Sequence, residues 1–317
     1  MGDLKGVVTF GPVSDNKKTG ISEFLRPKGV VGAVVPSTNP IATPVNNIIN
    51  AVKTGNSIIL APSPKGAGPL KLLLKKIHVE MNRLNIPSDL IKMIDLPPSK
   101  EKTEQLMKLV DLVLVTGSRR NVKLGYSSGT PALGVGVGNV VSIIDETASL
   151  VDAAKKISSS KIFDNATSCS SENSLIVVES VYEELLDELK RFGGLVLNSL
   201  EIEKLIDVHW SQSKITSNIL AKDIKTVLRK LGIDVSKNSS VKFLIAPTQD
   251  TSFLNPLSGE KMALFLSIFK AKNFEQAAIM ASEIQSKDGL GHSVGLHSNV
   301  EQRAKSLAMK LKLVLEN

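Results

Sequence analysis

Short apolar runs alternate with amphipathic stretches along the 317-residue chain, and this alternation constrains the fold more than any other feature. Short apolar runs bounded by polar residues are typical of buried strands, and the stretches between them have helical spacing. Strands that alternate with helices over short connections form crossover units, which build parallel sheets. We therefore predict an α/β protein with mostly parallel sheets flanked by helices. A chain of 317 residues is long enough for two domains, so we predict two.

The predicted strands cover 30–35, 57–61, 91–96, 112–115, 140–144, 175–178, 242–246, 264–269 and 294–297. The predicted helices cover 44–53, 70–84, 100–110, 148–163, 181–193, 214–231 and 274–285, with a last helix from 300. Polar residues that can cap a helix precede most of them; these are Thr43, Ser99, Thr147, Ser180 and Asn273. The boundary between the two sets of strands and helices is predicted near residues 164–168.

Composition excludes several classes of protein. No apolar run reaches the roughly 18–20 residues of a membrane span, and the first residues do not resemble a secretion signal. The net charge of +8 is scattered among acidic residues and aromatic residues are few, so we predict a small anionic ligand rather than nucleic acid. The single cysteine is typical of a reducing compartment, and we predict a cytoplasmic protein without disulfides.

That cysteine, Cys169, lies in the polar run 165–173 (NATSCSSEN), between a predicted helix and a predicted strand. Lone cysteines are often small buried hydrophobes. Here the two residues on each side, Thr167, Ser168, Ser170 and Ser171, all carry hydroxyl groups, which is unusual for a core. A reactive thiol and a buried one are both consistent with the local sequence; a thiolate needs backbone amides or a nearby cation.

Two turns follow predicted strands, where parallel sheets bind ligands. Thr116-Gly117-Ser118 ends the strand 112–115, and a helix start there favours phosphate, although an ordinary turn fits equally well. Asn39 follows the first strand, where its amide could donate to an oxyanion or serve only as a turn residue.

The glycine run 134–138 (GVGVG) invites a dinucleotide-binding interpretation, but the third glycine comes too early and a strand follows, not a helix. We interpret it as backbone that passes close to another segment or a ligand. His292 lies between glycine and serine and is either structural or catalytic, whereas His78 and His209 look structural. No group of residues has a metal-ligand spacing, and we predict no metal.

Taken together, these segments resemble the aldehyde dehydrogenase superfamily, and within it the CoA-acylating branch. Six blocks match in family order over nearly the whole chain. They are 35–40 (VPSTNP), 115–118 (VTGS), 126–139 (YSSGTPALGVGVGN), 163–172 with the cysteine, 255–261 (NPLSGEK) and 291–293 (GHS).

The resemblance implies a role for each matching position. Cys169 is the nucleophile, Asn39 and the Cys169 backbone amide form the oxyanion hole, and His292 lies near the active site. The positions that bind the nicotinamide cofactor are Thr116, Gly117, Ser118, Gly136 and Glu260. The implied domains are a cofactor-binding domain at 1–165, a catalytic domain at 166–300 and a return segment at 301–317.

The implied reaction passes through a thioester on Cys169, after hydride from the aldehyde adduct leaves for NAD(P)⁺. Hydrolytic relatives carry a glutamate in the glycine-rich segment as general base, but residues 133–140 contain no acid. Water is a poor nucleophile without a base, whereas a thiol of pKa about 8.5 is partly ionised unaided. The sequence therefore favours transfer of the acyl group to coenzyme A.

The cysteine loop looks most like that of acylating sulfoacetaldehyde dehydrogenases, so we predict sulfoacetaldehyde as substrate, with acetaldehyde or propanal as the alternative. The resemblance also implies a homodimer or homotetramer. Family members extend further at both ends, and a C-terminal strand and active-site loop are expected after Val314. A truncated, non-catalytic paralogue that acts as a binding or assembly subunit is the second hypothesis.

Overall fold

The structure is a computed structural model that describes residues 4–211 and 214–311. The chain divides into two compact units, Met1–Gly136 and Val137–Asn317. Each contains a parallel sheet with helices in its crossover connections, which confirms the predicted α/β class.

The first unit begins with an antiparallel hairpin and continues as alternating strands and helices. Its strands are β1 (Gly11–Asn16), β2 (Ile21–Leu25), β3 (Val30–Val35), β4 (Ser57–Pro62), β5 (Ile91–Met93), β6 (Leu112–Thr116) and β7 (Ala132–Val135). Its helices are α1 (Ala42–Lys53), α2 (Ala67–Arg83), α3 (Lys100–Leu109) and α4 (Arg119–Tyr126). The last five strands form one sheet in the order β5-β4-β3-β6-β7, and every pair is parallel.

The strand order reverses at the centre of this sheet. From β3 the chain runs outward through β4 to β5, and it then returns to the other side of β3 to form β6 and β7. Open parallel sheets bind ligands at such a reversal, outside the carboxyl ends of the strands. The turns after β3 and β6 therefore lie at the edge where a ligand is expected in this unit.

The second unit also alternates strands and helices. Its strands are β8 (Val140–Ile144), β9 (Glu172–Val178), β10 (Gly194–Val196), β11 (Trp210–Ser211), β12 (Lys214–Ile215), β13 (Phe243–Pro247), β14 (Phe265–Ala271) and β15 (Val294–His297). Its helices are α5 (Leu150–Ile162), α6 (Tyr182–Arg191), α7 (Ser199–His209), α8 (Ile224–Leu231), α9 (Phe274–Lys287) and α10 (Glu301–Lys310). Six strands form a parallel sheet in the order β10-β13-β14-β9-β8-β15.

Apolar strands form the centre of this second sheet. The side chains of β8 are all buried, as are those of β9 after its first residue, because helices cover both faces. Strands β14, β9, β8 and β15 are consecutive neighbours. Since parallel strands share a direction, the segments that precede these four strands meet at one edge of the sheet.

Several sequence predictions are confirmed to the residue, including strands 30–35, 140–144 and 294–297. Ser99 and Asn273 cap their helices by accepting backbone N–H groups of Lys102 and Gln276 at 3.2 and 2.9 Å. The predicted helix 214–231 is wrong in its first half, which forms β12 and a turn. Helix α8 begins at Ile224 because the Asp223 carboxylate caps it.

Other predicted starts are also wrong. Thr147 does not cap α5; its hydroxyl donates to Asp145 at 2.6 Å, and the helix begins at Leu150. Ser180 lies in a single 3-10 turn before α6. The break predicted near residues 164–168 falls inside the second unit, because β8 and β9 are paired in one sheet. The assignment of cofactor binding to 1–165 and catalysis to 166–300 stays a prediction.

Candidate active site

Gly138 lies where the predicted nucleophile and the predicted histidine of the second unit come together. A methyl group added at Gly138 would lie 2.6 Å from the Cys169 carbonyl oxygen, 3.1 Å from Cys169 Cβ and 3.2 Å from His292 Nε2. The segments before β8, β9 and β15 therefore approach each other as closely as their backbones allow. As the sequence predicted, backbone of the glycine run passes close to another segment, here Gly138 beside Cys169.

Cys169 occupies a loop with unusual backbone geometry between α5 and β9. Three consecutive residues before it, Asp164, Asn165 and Ala166, have φ values of 49°, 50° and 61°, in the left-handed region. Such a run is costly for residues with a Cβ, and strain of this kind is common at functional sites. The Thr167 hydroxyl supports the loop by donating to the Asp164 carboxylate at 2.7 Å.

The thiol of Cys169 is reachable by solvent and its charge state depends on its surroundings. The residue is exposed, although nearby protein atoms still displace part of the water around the sulfur. This partial burial raises the pKa of the Cys169 thiol, and the charge of Glu260 raises it further. The backbone amides of Cys169 and Ser170 donate towards the sulfur and act in the opposite direction.

Glu260 precedes β14 and joins the same group of residues. The backbone N–H of Gly138 lowers the pKa of its carboxyl group. Burial, and then the charge of Asp288, raise the pKa of Glu260 to about 7, against the opposing effects of Gly138, Lys261 and Lys161. A carboxylate with such a pKa can gain or lose a proton near neutrality.

The segment that carries Glu260 is held by buried hydrogen bonds. Asn139 Nδ2 donates to the Ser258 carbonyl at 2.9 Å, and Asn173 Oδ1 accepts the backbone N–H of Lys261 at 3.1 Å. His209 Nε2 lies 2.8 Å from the Lys261 carbonyl oxygen. Asn139 precedes β8 and Asn173 lies at the start of β9, so the segments that approach Cys169 also fix Glu260.

His292 directs Nε2 towards Gly138. Its Nδ1 accepts the backbone N–H of Ser293 at 2.8 Å, which assigns the ring proton of the neutral imidazole to Nε2. Burial lowers the pKa of His292, so the neutral form is favoured. In this tautomer the ring offers an N–H donor to the site.

In the first unit, Asn39 lies in the turn before α1 and Ser118 begins α4, both at the reversal of strand order. Asn39 Oδ1 accepts the backbone N–H of Ala42 at 3.1 Å in the turn before α1, and the residue is exposed, so its amide NH₂ group can donate to a ligand. Ser118 caps α4 by accepting the N–H of Asn121 at 3.3 Å. The predicted cap Thr43 lies inside α1, which begins at Ala42 after Ile41 and has no side-chain cap.

The remaining predicted cofactor positions lie along the same edge. Thr116 ends β6, Gly117 has a φ of 150° that favours glycine, and Gly136 follows β7, the neighbour of β6. A methyl group at Gly136 would meet nothing within 4 Å. A ligand can therefore approach this backbone closely. The roles of these residues stay predictions.

A cavity of about 730 Å³ lies elsewhere in the first unit. Residues of α2 and β5 line it, among them Lys71, Leu72, His78 and Met93. Its lining contains no predicted site residue, so we do not assign the chemistry to it. Across residues 4–211 and 214–311, no three or more His, Cys, Asp or Glu side chains are grouped as metal ligands. None of the described helices has the length and apolar character needed to cross a membrane.

The buried residues near this site, above all Lys161 and Lys261, were not predicted from the sequence. A signal was available for Lys161, because it continues the buried stripe of α5 at helical spacing from Ala154, Ile157 and Ser158. A lysine on an apolar stripe is either at the edge of the helix or buried with a function. No comparable pattern marks Lys261.

Known proteins resemble this chain in sequence. A sequence model described as the aldehyde dehydrogenase family matches residues 5–207. The acylating sulfoacetaldehyde dehydrogenase of Cupriavidus necator is 44% identical over 309 residues, which cover 98% of this chain and 63% of that protein. The enzyme of the same name from Bilophila wadsworthia is 35% identical over 98% of this chain and 67% of its own length.

Solved structures show the same fold. An acetylating aldehyde dehydrogenase from Geobacillus thermoglucosidasius superimposes with a TM-score of 0.92 at 32% identity, covering 98% of this chain and 69% of that one. A propionaldehyde dehydrogenase from Rhodopseudomonas palustris with bound CoA and an acylated cysteine gives 0.83 at 27% identity, over 92% and 65%. This chain spans less than two thirds of the Cupriavidus relative.

Proposed function

The chain belongs to the aldehyde dehydrogenase family, and on that premise we propose that it is a CoA-acylating aldehyde dehydrogenase that oxidises sulfoacetaldehyde with NAD(P)⁺. The observation that carries this proposal is the convergence of Cys169, His292 and Glu260 on Gly138, in a glycine-rich segment without an acid. Relatives named as acylating enzymes support it.

In the proposed reaction, the Cys169 thiolate adds to the aldehyde carbonyl. The family resemblance assigns the oxyanion hole to the Cys169 backbone amide and the Asn39 side-chain amide, which can both donate hydrogen bonds to the developing negative charge. Bound NAD(P)⁺ supplies the acceptor for the hydride that leaves this adduct. The adduct collapses to a thioester on Cys169.

The residues of the chain fit a nicotinamide cofactor. Glu260 provides a carboxylate for ribose hydroxyls, and the turn Thr116-Gly117-Ser118 lies at the reversal of strand order, before the amino end of α4. Helix amino ends and such turns favour phosphate groups. The partial positive charge at the amino end of a helix also suits coenzyme A, whose phosphates are anionic.

The thioester then passes to the thiol of CoA. Gly138 lies against Cys169, and the surrounding residues 133–140 contain no acid that could act as a general base for water. The neutral His292 directs an N–H group to this region and can donate to the thioester carbonyl when the CoA sulfur attacks. Both features favour thiolysis over hydrolysis.

A sulfonate fits the hydroxyl groups beside the nucleophile. Ser168 Oγ and Ser170 Oγ lie 2.8 Å apart on either side of Cys169 and are exposed, so both can turn to donate to an anionic substrate. Acetaldehyde or propanal is the alternative, supported by solved relatives named as acetylating and propionaldehyde enzymes. We also propose that the protein is cytoplasmic, because an exposed thiol stays reduced there. The family resemblance suggests a homodimer or homotetramer.

The test is an aldehyde panel with NAD⁺ and NADP⁺, with and without CoA. We expect reduced-nicotinamide absorbance that needs CoA for turnover and is greatest with sulfoacetaldehyde. Cys169→Ala should lose turnover by more than about 10³-fold, because the only nucleophile for the thioester is removed. Substantial turnover in this variant would refute the role of Cys169.

Mass spectrometry of the intact protein separates this proposal from a non-catalytic paralogue. Incubation with aldehyde and NAD(P)⁺, without CoA, should leave an acyl adduct on Cys169 that disappears when CoA is added. Cofactor binding without any adduct across the panel would favour a binding or assembly subunit instead.

A further inference from the structure

Lys161 is a buried lysine that the proposed reaction does not use. Its exposed fraction is 0%, and it continues the buried stripe of α5 that contains Ala154, Ile157 and Ser158. Lysines are rarely buried completely unless the amino group has a partner, because the protein interior solvates that group poorly. The partner of Lys161 therefore indicates what the residue does.

The partner is a backbone carbonyl group on the far side of the loop that carries the candidate nucleophile. Lys161 Nζ donates to the Glu172 carbonyl oxygen at 2.9 Å. Helix α5 ends at Ile162 and β9 begins at Glu172, so this hydrogen bond joins the two ends of the segment 162–171, which we call the Cys169 loop. An amino group keeps N–H donors when it loses its proton, so the contact does not depend on the charge of Lys161.

Left-handed residues that carry a Cβ strain the Cys169 loop. Asp164, Asn165 and Ala166 have φ values of 49°, 50° and 61°. Such strain persists only where the surrounding structure holds it. Within the loop, the Thr167 hydroxyl donates to the Asp164 carboxylate at 2.7 Å, but this bond joins residues of the loop to each other. The hydrogen bond from Lys161 instead joins the helix before the loop to the strand after it.

The first residue of β9 is not held firmly by the strand pairing alone. Val140 of β8 pairs with Glu172 at the start of β9. The following residue, Val141, pairs with Ser174, so Asn173 is an extra residue in β9. Irregularities of this kind leave one residue unpaired and disrupt the hydrogen-bond ladder locally. The hydrogen bond from the lysine adds a fixed point at this position.

We propose that Lys161 is a positioning residue that closes the Cys169 loop and holds the nucleophile against Gly138 and His292. Cys169 is separated from Glu172 only by Ser170 and Ser171, so a shift at the start of β9 is passed to the nucleophile through a short piece of backbone. The fit there is close, because a methyl group on Gly138 would lie 2.6 Å from the Cys169 carbonyl oxygen. Lys161 thus acts through the backbone rather than on the reacting atoms.

The consequence for turnover rests on the proposed function, whereas closure of the loop does not. Hydrogen exchange of the Cys169 loop is measured without aldehyde or cofactor, so its result stands even if the aldehyde panel fails. If the panel shows turnover and the loop does not respond to loss of the lysine, this inference fails while the proposed function remains.

The first test compares hydrogen exchange in Lys161→Met and Lys156→Met. Methionine keeps an apolar stem but lacks the donor, and Lys156 is a matched control because it lies on the same helix and pairs with Asp152 at the surface. In Lys161→Met, amides of the Cys169 loop should exchange at least about tenfold faster, while those of β14 keep their wild-type rate. Lys156→Met should leave both rates unchanged. Unchanged exchange of the loop in folded Lys161→Met, or equal acceleration in β14, would overturn the proposal.

Turnover with the preferred aldehyde of the panel gives the second measurement. In Lys161→Met, kcat should fall by roughly 10–100-fold, because misplacing a reacting group by about 1 Å has effects of this size. The KM for NAD(P)⁺ should change by less than about threefold, since loss of positioning at the nucleophile lowers kcat rather than cofactor binding. A raised KM with unchanged kcat would show that the lysine acts on the cofactor, and would overturn its role at the nucleophile.

A measurement on the unsubstituted protein keeps the proposal testable if Lys161→Met does not fold. A hydrogen bond transmits a scalar coupling, so a nitrogen-15 label at Lys161 Nζ should couple to a carbon-13 label at the Glu172 carbonyl carbon. Cell-free synthesis with labelled lysine and glutamate places both labels, and Glu172→Gln assigns the signal, because the carbonyl group remains but its label is lost. Detection of the coupling supports the closed loop. Its absence from a spectrum that resolves the Lys161 nitrogen would overturn the proposal.

Discussion

The two parallel sheets carry their candidate residues at opposite ends of their strands. In the first unit Asn39, Thr116 and Gly136 follow or end β3, β6 and β7, at the carboxyl edge. In the second unit the segments with Gly138, Cys169, Glu260 and His292 precede β8, β9, β14 and β15, at the amino edge.

The difference separates two ways of building a site. A turn at the carboxyl edge is complete within a few residues, because one strand, one turn and one helix start create it. The amino-edge site needs four segments from distant parts of the chain, held by buried side chains such as Asn139 and Lys261. Substitutions at the carboxyl edge should therefore act locally, whereas those at the amino edge should affect several residues together.

Among the substitutions that test this comparison of the two edges, Asn39→Asp at the carboxyl edge should have the largest effect. The new carboxylate still accepts the Ala42 N–H, so stability should be retained, but the NH₂ donor proposed for the oxyanion is replaced by a negative charge. We expect kcat to fall by about 10²–10³-fold, the usual cost of losing an oxyanion donor. A kcat within twofold of wild type, with unchanged thermal unfolding, would remove Asn39 from the oxyanion hole.

Gly138→Ala should have the next largest effect, at the amino edge. The added methyl group would meet the Cys169 carbonyl oxygen at 2.6 Å, so backbone must shift around the nucleophile. We expect turnover to fall by about 10²-fold, as for other misplacements of roughly 1 Å. Gly68→Ala is the control, because a methyl group there meets nothing within 4 Å, and normal turnover is expected.

Glu260→Gln tests whether amino-edge residues share their charges. Glu260 raises the pKa of the Cys169 thiol, so removing its charge should lower that pKa and increase the thiolate fraction near neutrality. Alkylation by iodoacetamide reports only on Cys169, the single cysteine, and should become faster by up to roughly tenfold per unit of pKa lowered. The control Glu275→Gln changes an exposed residue and should leave the dependence of the alkylation rate on pH unchanged. Slower alkylation in Glu260→Gln would contradict an effect of the Glu260 charge on the Cys169 thiol.

The smallest expected effect compares two serine caps in the first unit. Ser118 and Ser99 each accept a backbone N–H of their helix, at 3.3 and 3.2 Å. Replacing either by alanine should cost about 1 kcal/mol of unfolding free energy, measured by denaturant titration. Only Ser118→Ala should also weaken NAD(P)⁺ binding several-fold, because only Ser118 lies at the reversal of strand order. Equal cofactor affinity in the two variants would remove Ser118 from the cofactor site.

The sequence predicted the elements of this fold well where local physics decides them. The buried strands 30–35 and 140–144 are continuous apolar runs, and the caps Ser99 and Asn273 act through their own helix starts. The prediction was wrong where a local pattern was ambiguous, as in residues 214–223, where Asp223 rather than an upstream residue begins the helix. The exposed hairpin of β1 and β2 was missed because its side chains are all outside the core.

By itself, the sequence determined the alternating architecture, the family and the identity of Cys169 as the candidate nucleophile, since all three depend on residue types in a fixed order. Only the tertiary structure decided that Gly138 lies against Cys169 and His292, and that burial and the charge of Asp288 raise the pKa of Glu260. The reason is physical: the charge of a buried group depends on desolvation and on neighbours that are distant along the chain. Those distances exist only once the strands are paired.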